Sequence, residues 1–357
     1  MGAVTEELLA AWQAQIRDAA ARGDCVEIRG GGSKAFLGEP ARGAVLDTRA
    51  WRGVVSYEPT ELVITVRAGT PLAEVEAVLA ERNQMLAFEP PHFGNATVGG
   101  MVAAGLSGPR RASAGAVRDH VLGISLLDGR GELLRFGGQV MKNVAGYDVS
   151  RLMCGAMGCL GLLLDVSLKV LPRPALERTV RLSMTLSEAL QAMNRWGGEP
   201  LPISATCWVG DSVYVRLSGA HAAVDAAVAR LKGDVLDDAA QAGFWLAIRE
   251  QTHPFFSRHA PLWRLSVPSV EEPIGLPGEV LLEWGGALRW VLCEDGALAR
   301  ERASKEHGSA MLFRALHGSS LQRFDALSPA SRAIHQRLKQ AFDPARVFNR
   351  GRMYPDW

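Results

Sequence analysis

The sequence predicts an α+β chain of two lobes, and three observations carry that expectation. Its 357 residues, 48% of them hydrophobic, exceed what one small core needs and suit two or three packed lobes. The first half sets short strands between clusters of glycine. Beyond Pro172 and Pro174 the pattern turns to strand, helix, strand, strand and helix, which reads as a smaller α+β lobe of ferredoxin-like kind.

The elements follow in order. Leu8, Leu9, Trp12, Ile16 and Ala19 recur at helical spacing, with Thr5 placed to cap the helix and Gly23 to end it. A strand over 25–29 runs into Gly30-Gly31-Gly32-Ser33-Lys34, and the breakers Gly38 and Pro40 leave no room for a long helix behind it. Strands are expected over 44–47, 54–58 and 62–67. Thr70-Pro71 opens a helix with a cap and an N1 proline, and that helix stops near Asn83. Small side chains dominate 89–115, which lets backbone come close to a ligand or to another backbone. Strands over 121–127 and 132–136 flank the turn Asp128-Gly129-Arg130-Gly131 as a hairpin. A further glycine-rich piece, 155–161, leads into a strand over 162–170.

In the second lobe strands are expected over 178–184, 203–209, 212–217, 263–267, 280–284 and 288–293. Helices are expected over 188–196, 220–231, 240–251 and 296–307. A helix over 329–342 and a tail over 343–357 close the chain. The expected division is thus 1–174, 175–328 and 329–357, the last piece returning to the first lobe.

Lys plus Arg (39) nearly balances Asp plus Glu (38), so no field of one sign is available to hold a polyanion, and nucleic acid is excluded as a partner. The five cysteines are odd in number, far apart and without a Cys-x-x-Cys pair. That pattern argues against a disulfide framework and an iron–sulfur cluster and fits a reducing, cytoplasmic compartment. Acid stands at the N-terminus where a secretory signal carries base, and the most apolar stretch, 159–170, is interrupted by Asp165 and Lys169. It falls far short of the roughly 20 residues that span a bilayer, so membrane contact is expected only through partners.

A strand followed by three glycines presents consecutive unencumbered N–H groups, which can form a concave nest for a pyrophosphate. Gly30-x-Gly32-x-x-Ala35 also fits a dinucleotide fingerprint, but that motif needs a long helix directly after it. A Walker loop fails because no Gly-Lys-Ser or Gly-Lys-Thr follows at the right spacing. One triple-glycine turn alone is as well explained as a structural bend. Recurrence carries the case: Ala96-Thr97-Val98-Gly99-Gly100 is expected at a helix start, where free N–H groups favour an anion, and 155–161 precedes a strand. Three separated clusters point to one long ligand clasped by backbone at several places.

These motifs, together with Val66-Arg67-Ala68-Gly69-Thr70, Gly115-Ala116-Val117-Arg118-Asp119-His120-Val121-Leu122-Gly123 and Gly158-Cys159-Leu160-Gly161, resemble the FAD-binding module of the vanillyl-alcohol-oxidase and p-cresol-methylhydroxylase (PCMH) family over nearly all of 1–172. Ser33-Lys34-Ala35-Phe36-Leu37-Gly38, the stretch 141–148, Trp284-Gly285-Gly286-Ala287-Leu288-Arg289-Trp290 and the ending 347–354 resemble one branch, the FAD-binding E subunits of bacterial glycolate oxidase.

The resemblance implies a PCMH-type FAD domain followed by a cap domain. It implies that Arg29, Gly30, Gly31, Gly32, Ser33, Lys34, Thr97, Val98, Gly99 and Gly100 hold the FAD pyrophosphate. Gly115, Val117, Arg118, Asp119, Val121, Gly158, Cys159, Gly161 and Val166 would surround the adenosine end, and Pro90, Gly105, Gly155 and Asn349 complete the set. The family commonly has Thr where Cys159 stands, which removes a side-chain hydrogen bond there. The first loop has no His or Cys for covalent attachment, and only His92 lies near the second, so non-covalent FAD is expected. The implied partners are a larger FAD-binding subunit and an iron–sulfur subunit, and the implied substrate is glycolate, oxidised to glyoxylate.

Oxidation of a small 2-hydroxy acid needs a carboxylate anchor, for which the arginine fork is suited. Arg264, Arg289 and Arg352 are the candidates, with Arg314 in a similar strand-like setting. His253, His259, His307 and His317 could include a base. Glu306-His307 matches a pair found in the larger subunit's family, but no companion His cluster exists, so no metal is expected. Two readings stay open: a flavin dehydrogenase in its own right, or a non-catalytic flavin-bearing or structural subunit that supports a catalytic one.

Overall fold

The computed structural model describes residues 3–138, 148–270, 272–273, 275–319, 321–355 and 357. Most of the motif over 141–148 therefore lies outside the described residues. Helix α1 (Ala3–Arg22) lays Trp12, Ile16 and Ala19 against Val26, Leu46 and Trp51, and Gly23 ends it at φ +72°. The helix already runs at Ala3, so Thr5 sits in its first turn and is not the cap expected.

Strands β1 (Val26–Arg29) and β2 (Ala44–Asp47) form a parallel pair. Next come β3 (Val54–Glu58), β4 (Val63–Arg67), α2 (Leu72–Ala80), the short β5 (Gln84–Met85) and α3 (Val98–Ala104). Pro71, not Thr70, is the N-cap of α2, and the Thr70 hydroxyl instead donates to Arg67 O at 2.7 Å. Single turns α4 (Arg111–Ala114) and α5 (Val117–His120) lead to β6 (Val121–Leu127), β7 (Leu133–Gly137), α6 (Val149–Leu152), β8 (Leu162–Lys169) and β9 (Leu171–Pro172). A five-stranded sheet runs β3-β4-β8-β6-β7, antiparallel throughout. It packs on α2 and α3 through Leu72, Val75, Leu79, Met101 and Val102.

The second half contains β10 (Leu176–Ser183), α7 (Leu186–Gly197), β11 (Ile203–Val209), β12 (Ser212–Gly219), α8 (His221–Leu231), β13 (Asp234–Val235) and α9 (Asp238–Arg249). It continues with β14 (Leu262–Ser266), β15 (Val280–Glu283), β16 (Leu288–Leu292), α10 (Gly296–Lys305), β17 (Ser309–Arg314) and α11 (Pro329–Phe342). Its strands make one antiparallel sheet of eight, in the order β13-β10-β12-β11-β15-β16-β14-β17. α7 starts with a full capping box, Thr185 and Glu188, and buries Leu190, Met193 and Trp196 against this sheet. Leu262, Leu281, Leu288, Trp290 and Phe313 belong to the core cluster that also holds Leu37, Met157 and Cys159 of the first half.

The chain then returns. Val26 pairs with Phe348, and Ile28 N donates to Asn349 Oδ1 at 2.9 Å, which adds the tail to the β1 edge. No helix among the described residues is long and apolar enough to cross a membrane.

Candidate functional site

The first glycine loop is shaped by what lies behind it. A Cβ on Gly31 would collide with the Asn95 carbonyl, and one on Gly30 with the Thr97 hydroxyl, so the loop can rest on the second glycine loop only because both lack side chains. Gly32 takes φ +71° and turns the chain back. Residues 30–33 line an open cleft, and among the described residues none of their four N–H groups is bonded within the chain. Consecutive donors left unpaired beside a cleft are what a phosphate nest would require.

The second loop contributes differently. Thr97 caps α3 through Gly100 N at 3.3 Å, while Val98 N donates to Thr70 O and Gly99 N to Ala68 O. The free donors expected at this helix start are therefore already satisfied by the protein. What α3 offers is clearance: Gly99, Gly100, Ala103 and Ala104 form a wall without bulk.

The third cluster closes the opposite side. Gly158, at φ +72°, leaves room for the Asn349 amide, whose Nδ2 donates to Met157 O at 2.7 Å. Gly158, Gly161 and Asn349 thus share the cleft with Gly30 and Gly100. Arg29, Ser33, Lys34 and Thr97 also line it. Lys34 Nζ donates to Ser33 Oγ and His92 O, and burial brings its pKa down to about 8 against the pull of Glu250.

Other residues of the sequence-derived set stand away from this lining. Gly105 lies against Gly155, 2.8 Å from a would-be Cβ, and Val98 and Pro90 are buried in packing. Gly115, Val117, Arg118, Asp119 and Val121 form the α5 turn and the start of β6, where Asp119 accepts the Ala116 N–H at 2.8 Å. Val166 is a β8 core residue between Val66 and Ile124. Cys159 turns its thiol to Asn349 O at 3.7 Å, and burial raises its pKa to about 11.

The arginine candidates separate clearly. Arg352 donates to Glu39 O, Lys34 O and Ala35 O, tying the tail to the first loop. Arg289 is buried and donates to Gly286 O and Glu272 O. Arg314 donates to Gln251 Oε1. Among the described residues the Arg264 side chain, alone of the arginine candidates, has neither a hydrogen bond nor an ion pair, and burial lowers its pKa to about 10. His259, His307 and His317 are exposed and His253 accepts from Phe255 N, so none of the four stands in the cleft.

Sequence reasoning missed an ion network that joins the two halves. Arg216 Nη2 lies 2.9 Å from Glu89 Oε2, and Arg110 reaches both Glu89 and Glu177. Burial alone would raise the Glu89 pKa, but Arg216 and Arg110 outweigh it and hold the carboxyl below its ordinary value. Glu250 likewise accepts the N–H groups of His92 and Phe93, fixing the approach to the second loop from the second half. His92 Nε2 stands 3.2 Å from Glu76 Oε2, at an angle poor for a hydrogen bond.

Comparison with known proteins places these features. A family model described as an FAD binding domain matches residues 5–137. The chain is 50% identical over 332 residues to the glycolate oxidase subunit GlcE of Escherichia coli (strain K12), covering 92% of each. A shorter match, 28% identical over 138 residues, joins it to the glycolate oxidase subunit GlcD of Bacillus subtilis (strain 168) and spans 39% of this chain and 29% of that one. Among solved structures, alkyldihydroxyacetonephosphate synthase has the same fold, with a TM-score of 0.65 over 94% of this chain and 74% of that one at 14% identity.

Proposed function

Since the chain belongs to the family of the glycolate oxidase subunit GlcE and has an FAD-binding domain, we propose that it holds one FAD without a covalent bond and serves glycolate oxidation, with electrons leaving to partner subunits. The observation that carries the reading is the run of four unbonded N–H groups over 30–33, residues that line one cavity with Thr97, Gly100 and Asn349, beside a second cavity lined by Gly30, Gly99, Gly100, Gly158 and Gly161. These donors would bind the pyrophosphate, the bare wall of α3 would admit it closely, and Asn349 would fix the far side. Bound FAD supplies a two-electron acceptor for the carbinol carbon of a 2-hydroxy acid.

Non-covalent binding follows from the side chains available. Burial pushes the Cys154 thiol up to about 12 and Cys159 up to about 11, which removes the thiolate that attachment needs. His92 is held beside Glu76. Acid precipitation should leave the yellow colour in the supernatant; colour in the pellet, or a preparation unable to take up FAD, refutes this part.

The described residues hold no group of three metal-ligating side chains, and no Cys-x-x-Cys pair occurs in the sequence. Electrons would thus pass to other chains: a larger flavin subunit of the GlcD kind and an iron–sulfur subunit, which also supply any contact with the inner membrane face. Glycolate-dependent dye reduction by the subunit alone should be weak beside that of the co-purified complex. Equal turnover per flavin would instead make this chain a dehydrogenase in its own right.

A further inference from the structure

We propose that Arg264 and Arg111, gathered around Trp284 where the two halves meet, form a binding site for a small carboxylate; the proposal rests on the glycolate oxidase reading and names the residues that would take the substrate's acid end. Both guanidinium groups lie over the Trp284 ring, Arg111 at 4.4 Å and Arg264 at 5.3 Å from its centroid. Arg111 comes from α4 in the first half, and Arg264 from the β14 strand of the second sheet. Among the described residues neither guanidinium has a hydrogen bond or an ion pair. Two cations share one indole in a half-buried seam: burial and then the Arg111 charge lower the Arg264 pKa, while burial and Arg118 lower that of Arg111 against the pull of Asp119. The indole faces offset part of this cost, as cation–π contacts do, but they leave every N–H donor unused.

The acids that act on the pair do not settle its charge: Asp119 attracts Arg111 without an ion pair and accepts the Ala116 N–H instead. Glu283 lies on the same sheet face as Arg264 but with β16 between them and forms no ion pair with it; its Oε1 accepts from Trp290 Nε1 at 2.8 Å, and burial raises its pKa to about 7. It is therefore partly neutral at physiological pH, and a net positive charge remains. A small anion is the missing partner.

The backbone that presents Trp284 supports the assignment. Trp284, Gly285 and Gly286 all lie at positive φ, +55°, +68° and +94°, and for a bulky aromatic residue this conformation is costly. The strain is held by two contacts: Trp284 Nε1 donates to Gly108 O of the first half at 3.0 Å, and Gly285 N donates to Thr206 Oγ1 at 2.9 Å. The indole is thereby locked across the seam, with Arg111 three residues beyond the carbonyl it binds. A carboxylate seated on Arg264 would accept two parallel hydrogen bonds from the guanidinium fork, while Arg111 adds attraction without needing contact.

The test is calorimetric titration of the flavin-loaded protein with oxalate and, separately, with neutral glycolamide, with FAD content measured in every sample. Oxalate should bind and glycolamide should not. Arg264→Met, which removes the hydrogen-bonding fork, should weaken oxalate by at least about 10-fold, Arg111→Met, which removes only a nearby charge, should weaken it by a smaller but measurable factor, and Arg264→Lys should recover part of the affinity. Circular dichroism and FAD content equal to the parent protein would confirm folded variants; should Arg264→Met fail to fold, Arg111→Met carries the same reading. Oxalate binding unchanged in both Met variants overturns the proposal, as does equal binding of glycolamide. Oxalate binding that needs Arg264 in a protein unable to hold FAD supports this site while refuting the cofactor reading, so the two failures are distinguishable.

Discussion

The Lys339 ammonium and the Asp343 carboxylate stand 2.8 Å apart, one turn of α11 from each other, with 3% and 0% of their residues exposed. Lys339 also donates to Cys159 O and Phe348 O, while Asp343 accepts the N–H groups of Val347 and Phe348. The pair therefore pins the tail to the third glycine cluster. Lys339→Met removes one partner and leaves a buried carboxylate uncompensated, which costs about 3–5 kcal/mol. Thermal denaturation should show a large fall in Tm, with FAD occupancy falling too, and an unchanged Tm would show that the pair contributes nothing.

Gly31→Val and Gly99→Val should lower FAD occupancy far more than Gly210→Val. The first side chain would strike the Asn95 carbonyl and part the first loop from the second, and the second would strike Ala68 and displace the start of α3. Gly210 has open space around it in a hairpin of the second half, and there valine pays only for its positive φ. Flavin absorbance per protein measures the outcome, and equal loss in all three folded variants would deny the loops a special role.

Glu283 gives the stability a pH slope. Its folded pKa of about 7 lies above the unfolded value of 4.5, so its contribution is fully present below pH 4.5 and is lost as pH rises through 7. The loss amounts to up to about 3 kcal/mol. Glu283→Gln keeps an acceptor for Trp290 but cannot titrate. In urea melts the drop in stability from pH 5 to pH 8 should shrink in the variant, and an identical drop would count against a buried, raised carboxyl.

Glu89 runs the other way. Its folded pKa is depressed, so its contribution is present above the ordinary carboxylate range and is lost as pH falls through the folded value. Glu89→Ala leaves Arg110 and Arg216 to share Glu177 alone, at about 1–3 kcal/mol. Tryptophan fluorescence during denaturation should show the halves separating earlier than in the parent protein.

Local chemistry made much of this structure readable. Pro329 at N1 and Ser328 before it mark the α11 start, and the helix start at 96–100 stands where it was expected. The strands over 44–47, 54–58 and 203–209 stand where β-rich runs between breakers placed them. Other features left no local trace. Thr70 has the composition of a cap, but its hydroxyl is claimed by Arg67 O and Gly53 N. Glu89 and Arg216 lie 127 residues apart, and Arg111 meets Trp284 only after both lobes have formed. No spacing rule links such pairs. Around Arg314 only a strand-like setting without bounds was legible, because the edge strand Ser309–Arg314 tolerates polar ends, Ser309 and Arg314.

The return of Asn349 to Ile28 has a temporal meaning. The two residues are 321 positions apart, and at about 5–20 residues per second a ribosome needs roughly 15 seconds to a minute to make the intervening chain. Throughout that interval the first lobe has its glycine loops but not the asparagine that bonds to Ile28 and Met157. If FAD sits in the proposed cleft, its capture would be completed only at the end of translation, and a transcript truncated before codon 349 would yield a chain with every glycine loop in place and without that closing contact.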